Sequence, residues 1–107
     1  MKDIYISGPM TGIKNFNVEA FKKAEDLIFK LGHCPVNPAD RARKWMSENG
    51  DRPMREDEYQ AILKECLKDL CKCDAIMMLP GWRKSRGAKI EHDSARAGGK
   101  WILFYPE

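Results

Sequence analysis

The sequence lacks any long apolar run. Its first ten residues, MKDIYISGPM, reach Gly8 and Pro9 after only a few apolar side chains, and no later apolar run is long enough to span a membrane. A secretory signal peptide needs a longer apolar stretch, and a membrane-spanning helix needs about 20 apolar residues. We therefore expect no membrane association and a cytoplasmic protein.

A large excess of one charge is also missing. Lys and Arg number 19 and Asp and Glu number 16, which leaves a net charge of +3. Proteins that bind nucleic acid usually carry a strongly basic face. The balance argues against a nucleic-acid partner and leaves small anionic ligands open.

Metal-binding and disulfide patterns are absent as well. The last three of the four cysteines are spaced C-x4-C-x-C, which is neither a CxxC pair nor a common zinc pattern. His33 and His92 are isolated from other ligand types. We expect no metal and no cofactor, and we interpret the thiols as reduced structural residues. These are Cys34, Cys66, Cys71 and Cys73.

Repeats, linkers and low-complexity tracts are not found, so we predict one domain over residues 1–107. Within it, short apolar runs alternate with helical patterns. Strands are predicted at 3–7, 34–36, 75–79 and 101–105, and helices from Asn17 to Gly32, at 55–72 and at 86–97. Asn17 and Ser85 are the predicted helix caps. The last strand is predicted to be buried, and Pro35 suggests that the second lies at an edge.

This alternation predicts the fold class. Parallel strands need helical crossovers, so the simplest architecture is an α/β domain of Rossmann-like or flavodoxin-like topology. We expect a parallel sheet of four to five strands with helices on both faces. The polar segment ADRARKWMSENGDRP at 39–53 is open: either a short helix ending near Gly50 or a surface excursion beside a site.

Three loops should meet at the carboxyl ends of the strands, where ligands bind in such sheets. They are SGPMTG at 7–12, NPADR at 37–41 and PGWRKSRG at 80–87. The features of these loops and of the following helix also have ordinary explanations. The first lacks the G-x-G-x-x-G spacing of dinucleotide sites, a single helical Glu such as Glu91 is usually exposed, and the basic residues at 83–89 suit either solvent or a phosphate.

The motifs together resemble a known family. IYISGPMTG at 4–12, DLCKCDAIMML at 69–79 and SRGAKIEHDSARAGGK at 85–100 occur in the order found in the nucleoside 2-deoxyribosyltransferase superfamily, which includes a nucleotide N-glycosidase branch. The resemblance covers nearly the whole chain. It implies that a nucleoside or nucleotide is the small-molecule partner and that the protein is a homo-oligomer.

The resemblance also implies a set of site residues. Glu91 matches the nucleophile, Asp69 matches the supporting aspartate and general acid, and Tyr5 matches a tyrosine that orients the nucleophile. The expected substrate-binding residues belong to the first loop and to the start of the last helix. They are Ser7, Gly8, Pro9, Met10, Ser85 and Gly87.

Such a site would break an N-glycosidic bond. Positive charge develops on the sugar in this reaction, and a carboxylate stabilises it and then forms a glycosyl ester. The acceptor, water or a second base, decides between hydrolase and transferase. Asp93 stands where many relatives have glycine, and Pro9 and Thr11 replace a serine and an arginine of the hydrolase branch. These departures keep a second hypothesis open, a non-catalytic nucleotide-binding module.

Overall fold

The four short apolar runs form a parallel sheet. The computed structural model describes residues 1–10, 17–50 and 52–106, and its strands are β1 (Asp3–Ser7), β2 (Cys34–Val36), β3 (Ala75–Met78) and β4 (Trp101–Phe104). Their order is β2-β1-β3-β4, and every neighbouring pair is parallel. The predicted α/β class is confirmed, with four strands among the described residues, and β2 is the predicted edge strand.

Four α-helices connect these strands. They are α1 (Val18–Lys30), α2 (Ala39–Asn49), α3 (Glu56–Cys71) and α4 (Arg86–Ala97), and a single 3₁₀ turn at Trp82–Lys84 precedes α4. The segment at 39–53, for which the sequence left two interpretations, thus mostly forms α2. This helix ends just before Gly50, whose φ of 70° suits glycine. From β1 the chain moves to β2 on one side and later returns to β3 on the other. The strand order therefore reverses between β1 and β3, the place where such sheets bind ligands.

Alternation along β1 divides the interior into two faces. Ile4 and Ile6 point to the α1 face, where they pack with buried residues of α1 and with Met77. Tyr5 points to the opposite side, which we call the α4 face, and packs with residues of α3 and α4. Successive side chains of a strand alternate between the two sides of a sheet. One strand therefore supplies two different environments.

The predicted cap of the first helix is wrong. Asn17 lies just before α1, but its side chain makes no capping hydrogen bond. Its Nδ2 instead donates to the backbone oxygen of Pro9 at 3.0 Å. Asn17 has a φ of 62°, a left-handed conformation that asparagine tolerates better than most residues. The residue therefore holds the loop after β1 instead of the helix end.

The predicted burial of the last strand is also wrong. β4 lies at the edge of the sheet, and Trp101 and Phe104 are 72% and 56% exposed. Ile102 and Leu103 are half-buried and pack against the two faces. A continuous apolar run does not distinguish an edge strand from a central one, because both have aromatic and branched residues.

None of the helices in the described parts of the chain has the length and apolar character needed to cross a membrane.

Candidate active site

Glu91 lies on the buried side of α4. The helix buries Ala88, Glu91 and Ala95, a spacing of three and then four residues that marks one face of an α-helix. Glu91 is only 6% exposed, although glutamate is rarely buried without a partner. The sequence fixes this placement, because the small alanines on each side bring the helix close to the sheet.

The partners of Glu91 are two hydroxyl groups of β1. The Ser7 hydroxyl donates to Oε1 of Glu91 at 2.6 Å, and the Tyr5 hydroxyl donates to Oε2. Tyr5 and Ser7 are two residues apart and fully buried, so both point to the α4 face. Each carboxylate oxygen therefore has its own hydroxyl donor, and both donors are fixed to a central strand.

Burial dominates the electrostatics of this cluster. It raises the pKa of Glu91 above its ordinary value, while the hydrogen bonds from Ser7 and Tyr5 act in the opposite direction. Burial, and then the charge of Glu91, raise the pKa of Tyr5 well above its usual range. Tyr5 therefore stays a neutral phenol that donates its proton in a hydrogen bond. Every buried polar side-chain atom in the described residues has a hydrogen-bond partner.

A cleft of about 630 Å³ lies at the carboxyl ends of β1 and β3; Glu91, Tyr5 and Ser7 do not line it, but neighbouring residues of the same elements do. Pro9 follows Ser7 by two residues, and Gly87 precedes Glu91 by one helical turn, so both elements that hold the carboxylate also form the cleft. The volume is typical of small-molecule sites. The other lining residues come from the loop after β1, from α2, from α3 and the loop before it, and from the segment that leads into α4. They are Met10, Ala42, Trp45, Arg52, Pro53, Met54, Glu56, Tyr59, Ile62, Lys84, Ser85 and Arg86.

Of the predicted substrate-binding residues, Pro9, Met10, Ser85 and Gly87 line this cleft. Ser85 also caps α4, because its hydroxyl accepts from the backbone N–H of Ala88 at 3.3 Å, which confirms the predicted cap. The serine therefore fixes the helix end that forms one wall of the cleft.

At two glycines, a side chain would meet protein atoms instead of open space. A Cβ at Gly87 would lie 2.7 Å from the hydroxyl oxygen of Tyr59, so glycine here lets α3 approach the start of α4. A Cβ at Gly8 would lie 2.7 Å from Cβ of Leu79. Close packing of the chain against itself is enough to require glycine at Gly8, whereas at Gly87 the obstructing atom is the tip of a side chain that can move. A close approach of Gly8 to a sugar stays a prediction.

Asp69 is not brought into this cluster. It lies on α3, and its Oδ2 accepts from Nε of Arg41 at 2.8 Å and lies 2.8 Å from the Nη2 of the same residue. Asp69 neither lines the cleft nor hydrogen-bonds with Glu91, Tyr5 or Ser7. Its general-acid role stays a prediction that these contacts do not support.

Asp93 lies away from the carboxylate. Its side chain is 80% exposed, and its Oδ1 is 3.1 Å from Nδ1 of His92, which stacks on Trp82. Residues two apart on a helix do not share a face. The replacement of glycine at this position therefore adds no bulk or charge next to Glu91. Thr11, the other departure after Pro9, lies outside the described residues.

The basic residues at 83–89 do not act as one cluster. Arg86 makes two hydrogen bonds to Glu56, at 2.7 and 3.1 Å, across the mouth of the cleft. Arg83 lies over the ring of Trp82, whereas Lys84 lines the cleft. Much of the positive charge near the cleft is therefore neutralised by carboxylates of the same chain.

Sequence reasoning missed most of the apolar wall of the cleft. Met54 of the loop after α2, and Tyr59 and Ile62 of α3, line it without having been expected there. Trp45 of α2, which the sequence leaves open between an oligomer interface and a base pocket, also lines it. The available signal was the proline-bounded segment at 39–53, one interpretation of which placed it beside a site. A second cavity, of about 230 Å³ between α2 and α3, contains none of the predicted site residues.

Two further observations concern metal ligands and thiols. Within 1–10, 17–50 and 52–106, no three His, Cys, Asp or Glu side chains gather to hold a metal ion. Cys66 packs beside Tyr5, and burial raises the pKa of its thiol to about 11. A thiol with a raised pKa is a poor nucleophile near neutral pH.

The structure defines a three-layer α/β protein with a buried carboxylate at the point where the strand order reverses. Its fold is similar to that of a 2-desoxiribosyltransferase from Leishmania mexicana, with a TM-score of 0.66 and 19% sequence identity. The match covers 98% of this chain and 64% of that chain, so this chain spans less than two thirds of that neighbour.

The chain belongs to the family described as a domain of unknown function, DUF4406, whose model matches residues 2–104. No curated protein matches the sequence significantly. The family assignment therefore adds no chemistry, and the structural likeness supports the fold. Function has to be argued from the site itself.

Proposed function

We propose that this protein cleaves or transfers at the N-glycosidic bond of a deoxynucleoside or deoxynucleoside 5′-monophosphate, with Glu91 as the nucleophile. The observation that carries the proposal is a buried carboxylate held by Tyr5 and Ser7 beside a cleft at the carboxyl ends of β1 and β3. A structural glutamate would gain little from such a place, because burial penalises its charge. The fold of the Leishmania mexicana enzyme supports the same class of reaction.

The chemistry follows from the position of the carboxylate. As the bond from the anomeric carbon to the base nitrogen breaks, positive charge grows on the sugar, and the Glu91 carboxylate stabilises it. A bond then forms between the anomeric carbon and a Glu91 oxygen, while the electron pair of the broken bond leaves with the base. The base takes a proton from water in the cleft, and water or a second base later displaces Glu91 from the sugar.

The cleft offers complementary surfaces for such a substrate. Trp45 and Tyr59 provide aromatic rings and Met54 an adaptable apolar side chain, which suit a flat base. Lys84 offers a cation to an anionic substituent at the same cleft. Burial raises the pKa of Tyr59, so its hydroxyl remains a neutral donor and acceptor near neutral pH.

Base release from deoxynucleosides and their monophosphates, followed by chromatography, tests the proposal. We expect Glu91→Gln to lower the rate by about 1,000-fold or more, since it removes the nucleophile and keeps the side-chain shape. Asp93→Asn is the matched control, because it changes an exposed carboxylate two residues away on the same helix, and its rate should stay near that of the wild type. Equal rates for wild type and Glu91→Gln would contradict the proposal.

A second function, nucleotide binding without turnover, is supported by one observation. The carboxylate predicted as general acid, Asp69, hydrogen-bonds with Arg41 and has no contact with Glu91. In this case nucleotides should raise the melting temperature of the protein without being consumed, because a ligand of the folded state adds to its stability. Turnover that is lost in Glu91→Gln would exclude this alternative.

The predicted homo-oligomer is tested separately by sedimentation equilibrium.

A further inference from the structure

The hydroxyl of Ser7 has a distinctive environment. It is fully buried in β1 and lies 2.6 Å from Oε1 of Glu91, and like Glu91 and Tyr5 it does not line the cleft. A substrate-binding role, as predicted from the sequence, would need this hydroxyl to be open to the cleft. Its contact is instead with the proposed nucleophile.

We propose that Ser7 is a positioning residue that orients the carboxylate of Glu91 and keeps it ionised, an inference that rests on the proposed function. Tyr5 alone would hold only Oε2, and the carboxylate would be free to rotate about its last bond. With Ser7 on Oε1, both oxygens are fixed by the same strand. Hydrogen bonds donated to a carboxylate favour its charged form.

The position on β1 makes the arrangement rigid. Ser7 pairs in register with Met78 of β3, and its backbone oxygen accepts from the N–H of Leu79 at 2.8 Å. The strand therefore cannot shift without breaking the centre of the sheet. Catalytic groups held by such elements keep their geometry better than groups held by loops.

Burial and hydrogen bonding act in opposite directions on Glu91. The apolar surroundings favour the protonated carboxyl, which cannot attack a sugar, while Ser7 and Tyr5 favour the carboxylate. Removing one hydroxyl should therefore shift this balance toward the protonated form. Ser7→Ala removes a single oxygen atom from a small side chain, so it tests this point with little other change.

The experiment is a pH titration of the Glu91 carboxyl by ¹³C NMR in protein labelled at glutamate, with Glu91→Gln used to assign the signal. In Ser7→Ala we expect the Glu91 pKa to move higher than in the wild type, and in Ser7→Thr, which keeps the hydroxyl, to return toward it. Tyr5→Phe is the matched control, because it removes the other donor and should move the pKa in the same direction. Circular dichroism checks that each variant is folded, and Ser7→Cys replaces Ser7→Ala if the latter does not fold.

Kinetics give a second reading. For Ser7→Ala we expect kcat to fall about 10-fold to 100-fold through misorientation of the nucleophile, KM to stay near its wild-type value, and the acid limb of the pH profile to move to higher pH. An unchanged or lower Glu91 pKa in Ser7→Ala would overturn the inference, as would a rise in KM alone, which indicates substrate binding. The NMR titration needs no turnover, so a protein without base release refutes the proposed function and still leaves the role of Ser7 measurable.

Discussion

The two faces of the sheet use the same strand for different purposes. On the α1 face, Ile4 and Ile6 pack with Phe21 and other apolar residues, and every buried member of the cluster is apolar. On the α4 face, the same strand contributes Tyr5 and Ser7, which hold a buried carboxylate. The first face resembles an ordinary core, and the second resembles a core adapted to hold a reactive group.

The difference separates stability from chemistry within one small domain. Burying an aliphatic side chain such as Ile4 stabilises the fold by about 1.5–3 kcal/mol, whereas burying the Glu91 carboxylate opposes folding unless its hydrogen bonds offset the cost. Both faces bury apolar residues, and the α4 face in addition bears the cost of a buried carboxylate. Substitutions on the two faces should have different effects, and this gives a way to test the division.

The largest loss of stability should come from the α1 face. Phe21 is fully buried there, and Phe21→Ala should lower the free energy of unfolding by about 3–5 kcal/mol, because it leaves a cavity. Phe29→Ala, in the same helix but 61% exposed, is the matched control and should change it by less than about 0.5 kcal/mol. Urea denaturation measures both. Similar losses for the two variants would contradict the burial of Phe21 in the α1 face.

A pH-dependent effect should come from the α4 face. The pKa of Glu91 is raised in the folded state, so its contribution to stability is fully present below its ordinary pKa of 4.5 and is lost as the pH rises through the folded value. We expect the wild type to lose stability relative to Glu91→Gln over this window. Urea denaturation of both proteins from about pH 4 to about pH 8 measures the difference. A constant difference across this range would contradict the expected burial of the charge.

A smaller loss of stability is expected when Gly8, at the end of β1, is replaced by a larger residue. This residue follows Ser7, and a Cβ there would lie within 3 Å of two Leu79 atoms. Gly8→Ala should cost about 1–3 kcal/mol through overpacking. In a Leu79→Ala background the same change should cost less, because Cγ and Cδ1 of Leu79 are gone, although its Cβ, the closest atom at 2.7 Å, remains. Additive losses in the double variant would show that the two residues do not compete for space.

The smallest effect should come from Asp69, which belongs to neither buried cluster. Asp69→Asn weakens the half-exposed ion pair with Arg41 and should cost less than about 1 kcal/mol. Because Asp69 does not line the cleft, we expect base release to change little. Arg41→Gln breaks the same ion pair from the other side and serves as the control. A loss of about 100-fold or more in Asp69→Asn alone would establish general-acid catalysis.

Much of the fold was predictable from local patterns. Apolar runs closed by glycine or proline located the strands. The spacing of apolar residues located α1 and α3, and the Ser85 cap with the glycine pair after Ala97 located α4, each within about one or two residues. The errors concern tertiary context. Asn17 is a residue type that often caps helices, but its side chain hydrogen-bonds with Pro9. Trp101 belongs to an apolar run, but it lies in an edge strand and is exposed. No local signal separates these cases.

The site was predictable only in part, for a similar reason. The burial of Glu91 can be read from its spacing between Ala88 and Ala95, and the alternation of β1 places Tyr5 and Ser7 on one side. The sequence does not reveal which helix covers that side or that Asp69 meets Arg41. The cleft wall formed by Trp45 and Met54 comes from a polar segment whose packing depends on the completed sheet.

The hydrogen bonds that hold Glu91 also have a consequence for folding. They join Glu91 to Ser7 and Tyr5, which precede it in the chain by 84 and 86 positions. Contacts between such distant residues form slowly and require the intervening elements to be in place. Tyr5 and Ser7 are synthesised well before α4, so neither can contact Glu91 until that helix has been made. The cluster around Glu91 therefore requires both ends of the sequence, and an N-terminal fragment that stops before α4 cannot contain it.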